Sequence, residues 1–296
     1  MPAIHVLPDA QARRNLAVAW MNRGHDLMVQ NQLGSALEAY AEAIGHLRDL
    51  VPGDGPVDPS WTNSLGAALM NRGHLLHRMH GIGQASLALH AFDEAIALLA
   101  AIPAGTNPWP RRNLAGTLIN RANLLLDLGQ PKAASLDSGE ALALVASRER
   151  RDVVDAELAL KARRTRCDAI GRLFVAPGAD QSILAAEASD LVDDALALSR
   201  HWAAQGVTAF ASLALRLFRY GTQLYRLHQP HFLAEFIQEN LPPVPGEFHL
   251  IAREILDAAL TDRLHDRTFL TIGDPASERH LHTTRELKQL RTALST

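Results

Sequence analysis

Three stretches of this chain repeat at a fixed interval, and that interval limits what the rest can fold into. They read Leu16-Ala-Val-Ala-Trp-Met-Asn-Arg-Gly24, Leu65-Gly-Ala-Ala-Leu-Met-Asn-Arg-Gly73 and Leu114-Ala-Gly-Thr-Leu-Ile-Asn-Arg-Ala122. Each ends on Asn-Arg and a small residue, and Gly24, Gly73 and Ala122 stand 49 residues apart. A weaker copy, Ala159-Leu-Lys-Ala-Arg-Arg-Thr-Arg-Cys167, follows after 45 more. A period of this size marks an array of one supersecondary unit, in which each copy hides its apolar face against the next.

Each unit reads as two helices. In the first, Leu16, Trp20, Gly24 and Leu27 recur at helical spacing, and a second stripe follows at Leu33, Ala36, Leu37, Tyr40, Ala43, Ile44 and Leu47. Asn31-Gln32 between them is a short polar turn, which makes neighbouring helices antiparallel. Gly81-Ile-Gly83 and Gly129-Gln-Pro131 are the turns of the next two units. Gly suits a helix end and Pro the first turn of the following helix. The spacing predicts antiparallel pairs over 16–47, 65–99, 114–145 and 159–198. Aromatic residues make up 5% of the chain, and the abundance of Ala, Leu and Arg favours helix throughout.

These residues resemble the tetratricopeptide repeats. That family places a small residue in the first helix, a Leu one turn later, then Ala, an aromatic and Ala in the second helix. Here the pattern is Gly24, Leu27, Ala36, Tyr40, Ala43, then Gly73, Leu76, Ala88, Phe92, Ala95. The third unit gives Ala122, Leu125, Ala134, Ser138, Ala141, and the fourth Cys167, Ile170, Ala188, Val192, Ala195. The helices and the Pro-bearing linkers at 51–60 and 102–110 are longer than the family's, and its closing Pro is absent. The resemblance covers residues 10–203. It implies an all-α fold: an α-solenoid of stacked antiparallel helical hairpins, a tetratricopeptide-like superhelix with a C-terminal helical cap. Residues 1–203 would hold four hairpins, and 204–296 a degenerate fifth hairpin and capping helices. In that last part, helices are expected at 207–228, 232–240 and 246–264, and one that Ser277 caps and that ends near Leu294. Gly221 and Leu224 would replace the usual Gly and Leu, and Pro242-Pro243-Val-Pro245 would break the chain.

In such stacks the first helices line the concave surface. Asn22 and Gly24 point to opposite sides of one helix, so Asn22, Asn71 and Asn120 should form a ladder across that surface. Asn15 and Asn113 lie on the same face seven residues earlier. Val18 and Ala19, Ala67 and Ala68, and Gly116 and Thr117 supply a floor of small side chains. One turn further on, the face carries His25, His74, Asn123 and, in the fourth unit, Thr165 and Asp168. An amide side chain both donates and accepts, so it can pair with a peptide group without reading its sequence. Family members with Asn at the matching place hold extended peptides, which the resemblance extends to this chain. The alternative is that the amides tether neighbouring repeats.

Arg23, Arg72, Arg121 and Arg166 flank the ladder. Pairing with acids of adjacent helices, such as Glu38, Glu42, Asp93 or Glu140, is preferred over a row of anion sites. His74, His77 and His80 resemble a metal cluster, but steps of three drift around a helix, and no metal is expected there. Cys167 takes a packing position.

A net charge of −3 argues against a nucleic-acid partner that needs a strongly basic face. A single cysteine excludes an internal disulfide and any zinc site with two thiolates. No apolar run reaches membrane-spanning length, and the start of the chain lacks the pattern of a signal peptide. The expectation is a cytoplasmic, non-catalytic scaffold without cofactors that binds a protein or peptide segment. One alternative is an enzyme or metal-binding protein that uses His228, His231, His265, His280 or His282. The other is a module that associates with copies of itself.

Overall fold

The computed structural model describes residues 8–51, 58–79, 81–174, 176–228, 230–242, 246–265 and 275–294. Within them the chain is wholly helical. The helices are α1 (Pro8–Val29), α2 (Leu33–Arg48), α3 (Pro59–Arg78), α4 (Ile82–Ala100), α5 (Trp109–Asp127), α6 (Pro131–Val145), α7 (Val153–Leu173), α8 (Gln181–Ala203), α9 (Ala211–His228), α10 (Leu233–Asn240), α11 (Glu247–His265) and α12 (Pro275–Ala293).

Local chemistry sets the helix ends. Asn31 adopts φ 60° and Gly129 φ 71°. In both cases the next residue bonds back five positions: Gln32 N–H to Leu27 O and Gln130 N–H to Leu125 O, each 2.8 Å. That left-handed closure satisfies the last carbonyls of α1 and α5, and Gly adopts it without a Cβ clash. At the other ends, the Asp58 carboxylate accepts from Ser60 N–H at 2.8 Å and so caps α3, and Asp180 accepts from Ser182 and Ile183 N–H to cap α8. Pro59, Pro110 and Pro131 sit in first turns, where a missing N–H costs nothing.

The chain divides into two compact units, Met1–Ala169 and Ile170–Thr296. In the first, α1 pairs with α2, α3 with α4 and α5 with α6, and each pair rests on the next through α2–α3, α4–α5 and α3–α5 contacts. The pairs and their stacking fit an α-solenoid. Its core runs without a break from pair to pair. Ala17, Ile44 and Leu47 of the first pair share one cluster with Leu65, Ala68, Leu69 and Ala95 of the second. Leu76, Ala88 and Phe92 meet Leu124 of the third, and Ala122, Leu125 and Ala134 meet Ala169 of α7.

The repeated glycine sits against the aromatic residue of the second helix. A Cβ on Gly24 would stand 2.9 Å from the Tyr40 ring, and one on Gly73 2.6 Å from the Phe92 ring. Both rings are fully buried. In these two pairs the first helix meets the aromatic ring of the second at a point where it carries no side chain.

In the second unit α8 packs on α9, α9 on α10 and α11, and α11 on α12. The small-against-aromatic contact recurs there: a Cβ on Gly221 would come within 2.5 Å of Phe236 and 2.8 Å of Val192. Phe236 also stacks on Tyr225 at 4.5 Å between ring centres. Two expected helix starts are displaced. Gly206, at φ 82°, ends α8, so 207–210 forms a turn and α9 begins at Ala211 rather than 207. The last helix begins at Pro275, which puts Ser277 inside it rather than at its cap. The boundary between the two units falls inside α7. Residues 52–57 of the first linker and 243–245 of the proline break lie outside the described residues.

Candidate functional site

The contacts of α1 with α3 and of α3 with α5 bring the first helices side by side. They form a face that carries the repeated amides. Asn22 is exposed, and Asn71 and Asn120 are half-buried. None of the three side chains finds a hydrogen-bond partner among the described residues. His25 is exposed close to Asn22, and His74 is half-buried close to Asn71. The floor between rungs is narrower than expected. Ala19 is exposed and Ala67 and Gly116 are half-buried, whereas Ala68 and Thr117 lie in the core. Helices approach closely here too, since a Cβ on Gly116 would sit 3.4 Å from Met70 of α3 and 3.9 Å from Leu158 of α7.

Other amides on these helices are occupied within the fold. Asn113 Nδ2 donates to Asn63 Oδ1 at 2.9 Å and so joins α5 to α3. Asn123 Oδ1 accepts from Thr165 Oγ1 at 3.3 Å and from Arg164 at 3.4 Å, which joins α5 to α7. Thr165 is fully buried, so its hydroxyl is turned away from any open face. Asp168 remains exposed and pairs with Arg164 one turn back, at 3.7 Å. The expected site residues thus separate into three open amides and a tethered edge at the fourth unit.

The arginines beside the ladder follow the ion-pair expectation where a partner is found. Arg121 donates to both oxygens of Asp137 on α6, at 2.7 and 2.8 Å, and to Asp93 on α4 at 2.6 Å. Of the acids expected, Asp93 is used and Asp137 was not foreseen. Arg23 instead lies over the Trp20 ring at 5.8 Å, and Arg166 reaches across Gly139 on α6.

Burial lowers the His74 imidazole below its ordinary 6.5, and the positive charges of Arg78, His77 and Lys161 push the same way. His77 turns aside to Asp127, at 2.8 Å. His80 lies outside the described residues, as do the side chains of His228 and His265. His231 and His282 are exposed, and His282 pairs with Glu286 at 3.2 Å. Among the described residues no three His, Cys, Asp or Glu side chains are grouped to hold a metal ion, and no helix is long and apolar enough to cross a membrane.

One polar cluster had escaped notice in the sequence. The Asp155 carboxylate, wholly buried, accepts from Arg111 Nη2 and from Arg112 Nε at 2.8 Å each. Arg112 also pairs with Asp152, and its guanidinium lies 5.4 Å from the Trp109 ring centre. Adjacent arginines after a Trp-Pro pair and two aspartates three apart are the available signal, but they are 40 residues apart in the chain. Nothing short of the stacking of α7 on α5 brings them together.

No family model matches this chain, and no curated protein does. Two similar solved structures are both distant. One is the hypoxic regulator of sterol synthesis Nro1, a nuclear import adaptor, 8% identical over 97% of this chain and 90% of that one, with a TM-score of 0.40. The other is the de novo designed helical repeat protein DHR64, 15% identical over 80% of this chain and 98% of that one, with a TM-score of 0.23. At these scores the likeness carries no argument about activity or partner.

Proposed function

We propose that this chain is a divergent tetratricopeptide-like scaffold, non-catalytic, that holds an extended peptide segment along the face of its first helices. Asn22, Asn71 and Asn120 would pair with the backbone of that segment. The supporting observation is the division among the amides. Asn63, Asn113 and Asn123 are bound inside the fold, while the three register-equivalent amides have no partners among the described residues. Polar groups that lack partners in a fold must find them in water or in a ligand. Each amide–backbone bond contributes about 0.5–1.5 kcal/mol net, so three give a modest grip that reads peptide geometry rather than sequence. Arg78, His77 and Lys161 add positive charge around His74, which suits a segment with an acidic side chain near the second rung.

The test pairs a melt with a binding measurement. The triple variant Asn22→Ala, Asn71→Ala, Asn120→Ala should melt as the parent does, because substitutions of this kind usually fall within about ±0.5 kcal/mol. A peptide selected by the parent from an immobilised random dodecapeptide library should bind the variant at least about tenfold more weakly. If no peptide is selected, or if the variant unfolds many degrees early, the amides belong to repeat stacking and the proposal fails.

A further inference from the structure

A cavity of about 360 Å³ lies wholly within the second unit, between the end of α8, the 207–210 turn, the start of α9 and the end of α10. Its walls are apolar, with Leu196, Val207, Phe210, Leu241 and Phe248 among them. Ala214 lines it too, where a larger side chain would fill much of the space. It opens to solvent along one side, where Arg200, Ala203, Thr208 and Ala211 are exposed. Apolar hollows of roughly 150 Å³ already take up small apolar molecules, and ligand pockets begin at about 300 Å³.

The polar groups on the wall give the chemistry of the occupant. Arg200 lines the cavity, and its Nη1 donates to the Asn240 side-chain oxygen. Asn240 is itself fixed, since its Nδ2 donates to Phe236 O at 2.9 Å. The partner of the guanidinium is thus a neutral amide, and Arg200 forms no ion pair among the described residues. Asp193, the acid in its field, is engaged by Tyr225 Oη at 3.1 Å. A positive charge with donors to spare, at the wall of an apolar hollow, matches an anionic head on a hydrocarbon body. Arginine presents paired donors that fit a carboxylate in its plane.

We propose that this cavity binds a free aliphatic carboxylate, with the chain in the hollow and the carboxylate on the remaining donors of Arg200. The site is separate from the amide ladder of the first unit, so either proposal can fail alone.

Calorimetric titration of the full chain with octanoate, 1-octanol and acetate tests it. Octanoate should bind saturably at one site, with octanol and acetate at least about tenfold weaker. Arg200→Gln should bring octanoate down to the level of octanol. Asn240→Asp keeps the link between α8 and α10 but gives the guanidinium a charged partner, and it should weaken octanoate in the same way. Ala214→Phe should abolish both octanoate and octanol binding while the helical circular dichroism is retained. The proposal is overturned if octanoate shows no saturable binding, or if octanol binds as well as octanoate. It is equally overturned if Asn240→Asp, or an Arg200→Gln variant of lowered melting temperature, retains parental octanoate affinity. In that case Arg200 serves only to tie two helix ends together.

Discussion

At Gly73 the absence of one carbon decides how closely two helices meet. Its missing Cβ would lie 2.6 Å from the Phe92 ring, and that ring is fully buried among Leu76, Ala88 and Leu124. The ring cannot retreat, because the third hairpin stands behind it. Gly73→Leu should therefore destabilise by about 1–3 kcal/mol or more, the usual cost of overpacking a full core. A thermal melt reads this directly, and an unchanged midpoint would show that the small-residue register is wrong. The sequence marked Gly24 and Gly73 as the small residues of the first helices and Tyr40 and Phe92 as aromatics of the second, but the contact between them is seen only in the structure. The positions were legible because the repeat interval lays equivalent residues of successive units on one another. The environment of the amides was not legible in this way. Asn71 and Asn123 both read as groove residues, yet only Asn123 meets a hydroxyl from the next first helix.

Between elements, the ion cluster of Arg111, Arg112, Asp152 and Asp155 holds the start of α5 to the start of α7. Asp155 is wholly buried and the Arg112 side chain is 9% exposed, so neither charge has water to fall back on. Removing one partner of a buried pair commonly costs about 3–5 kcal/mol, most of it from the charge left behind. Asp155→Ala should accordingly lower the melting midpoint by many degrees, and Asp155→Asn should cost less because it still accepts hydrogen bonds. Equal melts for Asp155→Ala and the parent would remove the cluster from the account of stacking. Its residues are unremarkable in sequence. Surface arginines and aspartates are common, and only the packing of α7 on α5 gathers these four around the buried Asp155.

At the scale of the molecule, no hairpin of the first unit closes its own core. Ala17, Ile44 and Leu47 are covered by Leu65, Leu69 and Ala95 from the following pair. A fragment of residues 1–51 would expose that surface to water. Helices in proteins draw most of their stability from tertiary packing of an amphipathic face, which the fragment would lack. Circular dichroism of the fragment should show well under the helicity it has in the full chain, with no cooperative melt. A sharp unfolding transition would mean that the hairpins are independent units rather than members of an array.

The repeat interval, the helical spacing of the apolar residues and the turn residues were enough to determine the all-helical class and the hairpins of the first unit. These are local or periodic properties, carried by neighbouring residues and by backbone geometry, so they survive translation into sequence. Tertiary structure alone decided which amides stay open, which carboxylates the arginines meet and where an apolar hollow remains beside Arg200. These depend on side chains from elements 16 to 50 residues apart, as in Arg121 with Asp137, Asn63 with Asn113, Asp155 with Arg111 and Asn240 with Arg200. Distances between such groups are set by the angle and depth at which whole helices pack, and no local pattern along the chain encodes that.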